Sequence, residues 1–184
     1  ERNLALLQPL GVAAAPPRWV FPDYAAEREK MNAFLAECGL MAADQARAFA
    51  VVNPGGTWPT KKWPVERFAA TARGLGERHR LPVVAVWGTA AEEAAAERIV
   101  AAARAGQGAT EVGAFKAPPT NLRELAALLS AAALFVGNDT GPLHLAAAFD
   151  VPTVAVFGAT DPLRNGPYGK RRRVCCAAGL ACRS

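Results

Sequence analysis

The chain has 184 residues, of which 52% are apolar and 20% are charged, and its formal net charge is +5. This length and composition indicate one globular domain with a short extension, and they exclude an intrinsically disordered chain. No apolar run reaches the roughly 20 residues of a membrane-spanning helix, and the first residues lack the pattern of a signal peptide, so we expect a cytoplasmic protein.

The first 47 residues differ in pattern from the rest. Leucines at helical spacing are followed by Pro16, Pro17 and Pro22, which interrupt regular structure. Residues 24–39 are predicted to form a helix that ends at Gly39. We expect residues 1–47 to be a linker or hinge that follows an N-terminal domain outside this chain.

From residue 48 onward, short apolar runs alternate with helical patterns. Strands are predicted over residues 48–53, 82–87, 134–138 and 152–158, with a weaker one near 111–113. Helices are predicted over residues 64–79, 89–103, 121–132 and 142–149. Such an alternation predicts a Rossmann-like, doubly wound α/β domain with a parallel sheet over residues 48–170, whose ligands bind beyond the carboxyl ends of the strands.

The loop after the first of these strands is suited to phosphate groups. It has the sequence NPGGTWPTKKWP, residues 53–64. Its glycines let backbone amides approach a ligand, Thr57 adds a hydroxyl donor, and Lys61 and Lys62 precede a helix N-terminus. The loop is neither a Walker motif nor a dinucleotide fingerprint, and a plain turn is the alternative interpretation.

An acidic residue follows the next strand. Trp87, Gly88 and Thr89 end that strand, and Glu92 comes three residues later. Its carboxylate could accept hydrogen bonds from a ribose diol, as acidic residues do in dinucleotide-binding folds. The alternative is an acidic first turn that matches the helix dipole.

The sequence FVGNDTGPLH, residues 135–144, carries the strongest local signal. Asp139, Thr140 and Gly141 lie between a predicted buried strand and a short helix, where the Thr140 hydroxyl and the Gly141 amide can donate to a phosphate. His144 falls on the first turn of that helix and is predicted to lie near the same ligand. A helix cap is the alternative role for Asp139.

The loop after the last predicted strand has the sequence FGATDP, residues 157–162, and is followed by GPYGK, residues 166–170. Its Gly and Pro content is compatible with covering a site or with turning the chain. No Ser-His-Asp order, His cluster or Gly-x-Ser-x-Gly elbow is present, so the sequence does not support a hydrolase.

Residues 171–184 are expected to form a basic, Cys-containing tail. The basic residues near the C-terminus are Lys170, Arg171, Arg172, Arg173 and Arg183. A weak contact with an anionic membrane surface and a solvated tail are both compatible with them, whereas no nucleic-acid-binding motif accompanies the charge. Cys175, Cys176 and Cys182 supply three thiols with unsuitable spacing for zinc, so we expect reduced thiols in a frayed tail and no metal.

Together, these segments resemble glycosyltransferase family nine, the lipopolysaccharide heptosyltransferases. The matching pieces are the Gly-Gly-Thr loop with KKWPVERF (61–68), Trp87-Gly88 with Glu92, and GNDTGPLHLAAAFDVPTVAVFGATDPLRNGPYGK (137–170). The resemblance implies a GT-B architecture, in which two Rossmann-like domains face each other and the C-terminal one holds the nucleotide-sugar donor.

The resemblance also implies roles for individual residues. A lysine before the Trp-Pro pair contacts the donor phosphates, which is Lys61 or Lys62 here, with Lys61 preferred. Glu92 binds the ribose. The sugar and phosphate are held by Asp139, Thr140, Gly141 and His144, and the implied donor is ADP-heptose or a related nucleotide sugar.

The implied reaction is an inverting sugar transfer to a lipopolysaccharide-precursor acceptor at the cytoplasmic face of the inner membrane. The acceptor and the general base, an Asp, are expected in the N-terminal domain, so we expect no catalytic residue in this chain and no activity from it alone. No cofactor or metal is expected. A GT-B-like nucleotide-sugar epimerase and a non-enzymatic nucleotide-binding module are the alternatives.

Overall fold

The computed structural model describes residues 7–12, 18–42, 45–46, 48–105 and 112–176. Its N-terminal part contains a 3₁₀ turn at Gln8–Leu10 and the helix α1, Ala25–Glu37. A short antiparallel pair follows, formed by β1 (Met41–Ala42) and β2 (Gln45–Ala46). Among the described residues, no helix is long and apolar enough to cross a membrane.

The centre of the molecule is a six-stranded parallel sheet. Its strands are β3 (Ala50–Asn53), β4 (Val83–Ala85), β5 (Ala114–Lys116), β6 (Leu134–Asn138), β7 (Thr153–Phe157) and β8 (Arg172–Cys176). The spatial order is β5-β4-β3-β6-β7-β8, and every neighbouring pair is parallel. The chain therefore winds outward from β3 in one direction and outward from β6 in the other, with the switch between these two strands.

Helices connect the strands on both faces of the sheet. They are α2 (Val65–His79), α3 (Ala90–Arg104), α4 (Leu122–Ser130), α5 (Gly141–Ala148) and the single turn α6 (Pro162–Asn165). Side-chain oxygens cap the N-termini of three of them: Thr89 accepts from the Glu92 amide at α3, Asn121 forms a capping box with Glu124 at α4, and Asp161 accepts from the Leu163 amide at α6. The predicted doubly wound α/β fold is confirmed.

Two apolar clusters hold the layers together. One face of the sheet packs against α2 and α3, with Phe68 and Ile99 fully buried. The other face packs against α4 and α5, and Leu128 and Leu143 are fully buried there. Burial of each such side chain contributes about 1.5–3 kcal/mol, so both layers are anchored by apolar contacts.

The helix α1 belongs to this packed body, although the sequence placed it in a hinge segment. Met31 and Leu35 are buried in the same cluster as α4 and α5. Lys30 donates to Glu124 over 2.6 Å, and this ammonium holds the pKa of the Glu124 carboxyl below its ordinary value. The docking of α1 on α4 thus combines an apolar contact with an ion pair.

The sheet also extends past residue 170, where the sequence placed the start of a tail. Residues 172–176 form β8, whose backbone pairs with β7 from Thr153–Arg172 to Phe157–Cys176. All five residues of β8 are exposed, and the strand lies at the edge of the sheet. Cys182 and Arg183 lie outside the described residues, and membrane contact by this basic region stays a prediction.

The weak strand predicted near residues 111–113 is shifted in the structure. The strand β5 begins at Ala114, which pairs with Val83, and Gly113 only accepts a hydrogen bond from the Val83 amide. Pairing with β4 therefore selects the register, and Glu111 lies outside the described residues.

Candidate functional site

A cavity of about 600 Å³ opens at the carboxyl edge of the sheet, over the switch between β3 and β6. The loops that follow β3, β4, β5 and β6 all contribute to its walls. This position is the ordinary ligand site of a doubly wound sheet, because strand ends and helix N-termini diverge there and leave a crevice. The sequence predicted a site at this edge.

The β3–α2 loop is fixed by the side chain of Asn138, the last residue of β6. Asn138 is fully buried, and its Nδ2 donates to the carbonyl oxygens of Pro54 and Gly55, each over 3.0 Å. Its Oδ1 accepts from the Trp63 amide, also over 3.0 Å. One amide side chain therefore ties down both ends of the loop, and a buried amide with all these partners is a rigid support.

Asn53 is the last residue of the neighbouring strand β3, and its side chain also bonds to the β3–α2 loop. Its Oδ1 accepts from the Gly55 amide over 2.9 Å, and its Nδ2 donates to the Thr140 hydroxyl over 3.1 Å. Neither Asn53 nor Asn138 was predicted as a site residue. The available signal was an asparagine ending each of two apolar strands, but only the sheet order shows that these strands are neighbours.

The structure brings Lys61, Asp139 and His144 together. The Lys61 Nζ lies 2.8 Å from the Asp139 Oδ2, and the side chains are 24% and 7% exposed. The His144 Nε2 lies 3.6 Å from the other oxygen, Oδ1, and His144 is nearly half exposed. The Thr160 hydroxyl donates to the Asp139 Oδ2 over 2.9 Å. The carboxylate is thus almost buried, with hydrogen-bond donors from two separate loops and the His144 ring of α5 close by.

These contacts distinguish between a ligand-site role and a helix-cap role for Asp139. The N-cap position of α5 is Thr140, whose backbone is extended and whose side chain makes no capping hydrogen bond, while the Asp139 oxygens accept from Lys61 and Thr160. A helix-cap role for Asp139 is therefore wrong.

Thr140 and Gly141 form the N-terminus of α5 at the cavity wall. The Thr140 hydroxyl accepts from Asn53 and donates to the Asn138 carbonyl oxygen over 3.3 Å, so in this structure it serves the loop framework. Gly141 is exposed, and no atom lies within 4 Å of the position that a Cβ would take. A ligand can consequently approach the first amides of this helix closely.

Glu92 reaches back from the first turn of α3 into the cavity. Its Oε1 accepts from the Gly56 amide over 3.1 Å, and its Oε2 accepts from the Gly88 amide over 2.9 Å. The carboxylate therefore joins the β3–α2 and β4–α3 loops. Its role is thus not limited to complementing the dipole of α3. Each oxygen keeps a further lone pair for a ligand donor.

Of the two adjacent lysines, only Lys61 faces this cavity. Lys62 is exposed and lines a second, smaller cavity together with Arg98, while Thr57 lies at the mouth of the main one. Lys61 is the last residue of the 3₁₀ turn Pro59–Lys61, whereas the backbone of Lys62 is extended, so the two side chains leave the chain in different directions. The sequence preference for Lys61 over Lys62 agrees with this placement.

The remaining wall of the cavity is more apolar and was not anticipated. It comes from the end of β4 and the start of α4, with Val86, Trp87, Leu122 and Leu125. The Trp87 Nε1 donates to the Ala117 carbonyl oxygen over 2.8 Å, which fixes the ring beside β5. The cavity therefore has a cationic and amide-rich end over β6 and a more apolar end over β4.

The described residues contain no group of three or more His, Cys, Asp or Glu side chains that could hold a metal ion. Cys175 and Cys176 are exposed on β8, and Cys38 is half-buried after α1. Burial raises the pKa of the Cys38 thiol, with the Glu37 carboxylate adding to the effect.

Comparison with known proteins gives consistent matches. Residues 1–184 match the sequence profile of glycosyltransferase family 9 (heptosyltransferase). Lipopolysaccharide heptosyltransferase 1 of Pseudomonas aeruginosa is 36% identical over 151 residues, which cover 80% of this chain and 37% of that protein.

Two solved structures of the Escherichia coli heptosyltransferase WaaC are similar to this chain. The one with ADP is 28% identical with a TM-score of 0.67, over 94% of this chain and 48% of that one. The one with ADP-2-deoxy-2-fluoro heptose is 30% identical with a TM-score of 0.60, over 92% and 46%. The chain thus spans between a third and a half of the length of the relatives it matches.

Proposed function

The chain belongs to glycosyltransferase family 9, the heptosyltransferases, and from this membership we propose that it is the donor-binding part of an enzyme that transfers a heptose from ADP-heptose to a lipopolysaccharide precursor. The observation that carries the proposal is the cavity at the strand switch, where Lys61 and the α5 N-terminus stand at one end and Glu92 at the other. The two solved relatives named with ADP and with an ADP-heptose analogue favour this donor.

The diphosphate of the donor is proposed to lie over the β6 end of the cavity. The Lys61 ammonium supplies a cation there, and the Gly141 amide at the start of α5 supplies a donor together with the helix dipole. Thr57 can add a hydroxyl from the mouth of the cavity. Lys62 has no part in this arrangement because its side chain lines the other cavity.

The nucleoside is proposed to lie toward β4. Glu92 can accept from the ribose hydroxyls with the lone pairs that its two backbone contacts leave free. The apolar wall around Val86 and Leu125 suits a flat base. Asp139 and His144 then face the sugar that leaves the diphosphate.

In the proposed reaction, an acceptor hydroxyl oxygen bonds to the anomeric carbon as the bond from that carbon to the diphosphate oxygen breaks, which inverts the configuration. ADP departs, and its developing negative charge is stabilised by Lys61 and by the α5 amides. The hydroxyl proton passes to a general base, which we place in an N-terminal domain that precedes residues 1–47. The acceptor site is placed in the same domain.

Calorimetric titration of the 184-residue chain with ADP, UDP and NAD tests the proposal. We expect ADP to bind most tightly and Lys61→Ala to weaken it by about ten- to hundredfold, the range for losing one hydrogen bond to a charged group. Lys62→Ala is the matched control, since it removes the same charge from the neighbouring residue, and it is expected to change the affinity by less than about threefold.

The outcomes separate the parts of the proposal. Equal losses in the two lysine variants would show that net charge, and not the Lys61 position, binds the ligand. Equal affinities for ADP and UDP would contradict an adenosine donor while keeping a diphosphate site. Failure of all three nucleotides to bind would overturn the assignment of donor binding to this chain.

A further inference from the structure

The loop between β7 and α6, residues 158–161, does not line the cavity, yet it contacts the residues that form its cationic end. The Thr160 side chain is half-buried, and its hydroxyl donates to the Asp139 Oδ2 over 2.9 Å. That same oxygen accepts from the Lys61 Nζ over 2.8 Å. Thr160 and Lys61 therefore share one carboxylate oxygen.

A second contact ties the same loop to the residue before Lys61. A Cβ on Gly158 would lie 2.5 Å from the Thr60 carbonyl oxygen, which no real Cβ could occupy without a shift of the backbone. Only a residue without a Cβ lets the two backbones approach this closely. The loop thus packs directly against the turn that carries Lys61.

The position of Thr160 within its loop is itself fixed. Asp161 caps α6, where its Oδ1 accepts from the Leu163 amide over 2.9 Å, and Gly158 directly follows β7. The hydroxyl is thereby held between a strand end and a capped turn. A donor supported in this way can set the rotamer of the Asp139 carboxylate, which is only 7% exposed.

We propose that Thr160 is a positioning residue of the donor site, whose hydroxyl holds the Asp139 carboxylate, and through it the Lys61 ammonium, in the geometry that receives a nucleoside diphosphate. The inference rests on the proposed function. Without the Thr160 donor, Asp139 Oδ2 has Lys61 as its remaining donor among these contacts, so the lysine is bound more tightly to the carboxylate and is less available to phosphate oxygens. Thr160 acts through Asp139 and does not touch the ligand.

The test compares ADP affinities of the full 184-residue chain by calorimetry. Thr160→Val keeps the shape and removes the hydroxyl, and we expect it to weaken ADP binding by about tenfold, the lower end for one hydrogen bond to a charged group. Thr160→Ser keeps the hydroxyl and is expected to restore the affinity to within about twofold. Thr71→Val is the matched control, because the Thr71 hydroxyl donates to the Arg67 carbonyl oxygen on α2, away from the cavity.

A double-mutant cycle with Asp139→Ala distinguishes positioning from a general role of the loop in folding. If Thr160 acts through the carboxylate, Thr160→Val has no further effect once Asp139 is alanine. Thermal unfolding of each variant accompanies the titrations, and Thr160→Ala repeats the removal of the hydroxyl if the valine variant is unstable.

Three results would overturn the inference while leaving the proposed function intact. They are an unchanged affinity in Thr160→Val, an equal loss in Thr160→Ser, and a loss that persists in the Asp139→Ala background. Absence of ADP binding by the unmutated chain would instead overturn the proposed function, and this inference with it.

Discussion

Replacing Asn138 by alanine is expected to release the β3–α2 loop at both of its ends. The side chain is completely buried at the end of β6, and it donates to the Pro54 and Gly55 carbonyl oxygens and accepts from the Trp63 amide. Alanine leaves all three backbone groups without this partner. The loop that carries Lys61 then loses its fixed connection to the sheet.

The size of the effect follows from these three contacts. An intramolecular hydrogen bond contributes about 1 kcal/mol net, so the three together correspond to about 3 kcal/mol of the free energy of unfolding. Two of them are fully buried and the Trp63 contact is partly buried, so water can replace only the latter easily. Against a typical domain stability of about 5–15 kcal/mol, this is a large loss.

Urea denaturation of the unmutated chain and of Asn138→Ala, followed by tryptophan fluorescence, measures the loss. Asn32→Ala is the control, because Asn32 is half-buried on α1 and its replacement by alanine favours the helix slightly. Calorimetry with ADP provides the second measurement. We expect the affinity of Asn138→Ala for ADP to fall as well, since Lys61 is no longer held at the cavity.

A free energy of unfolding for Asn138→Ala within about 0.5 kcal/mol of the unmutated value, the range of ordinary surface substitutions, would show that the three contacts do not stabilise the chain. A loss of stability without a loss of ADP affinity would contradict the role of Asn138 in the site. That second result would mean that the loop keeps its shape without the asparagine.

Two further predictions concern the loop and the docking of α1. Gly55→Ala would place a Cβ 2.7 Å from the Glu92 Oε1, so we expect the carboxylate to move and ADP affinity to fall. The control Gly74→Ala lies on α2 with open space around it and should stabilise the chain. Calorimetry and urea denaturation compare the two variants, and equal ADP affinities would contradict the prediction. The hydrogen bond from Arg123 holds the pKa of the Glu27 carboxyl below its ordinary value, so its stabilisation is present above the unfolded-state pKa and is lost as the pH falls through the folded-state pKa. Unfolding measured from pH 6 to pH 3 should therefore show a steeper loss in the unmutated chain than in Arg123→Ala, and parallel curves would exclude a contribution from this pair.

Much of the fold could be predicted from the sequence because its signals are local. Continuous apolar runs such as LFVGN and TVAVF match β6 and β7, and the cap predicted at Thr89 is present in the structure. Lys61, Asp139 and His144 could be selected because each lies within a few residues of a predicted strand end or helix start. Residue types and positions along the chain were sufficient to select Asp139 and His144, whereas the preference for Lys61 over Lys62 came from the family resemblance.

The strand β8 could not be predicted in the same way. Its sequence, RRVCC, lacks the apolar pattern of a buried strand, and all five residues are exposed. Parallel pairing with β7 provides its hydrogen bonds, and that pairing is invisible in the local pattern. The register of β5 was misplaced for the same reason.

The sequence by itself therefore determined the fold class, the order of helices and strands from β3 to β7, and the side chains available at the carboxyl edge of the sheet. Only the tertiary structure decided that β3 lies beside β6, so that Asn53 and Asn138 support one loop and Lys61 meets a carboxylate 78 positions away. In the folded chain, Lys62 lines a different cavity and the Thr160 hydroxyl donates to Asp139. The physical reason is that helix and strand patterns depend on near neighbours in the chain, whereas strand order and side-chain pairing depend on how distant segments bury their apolar faces together.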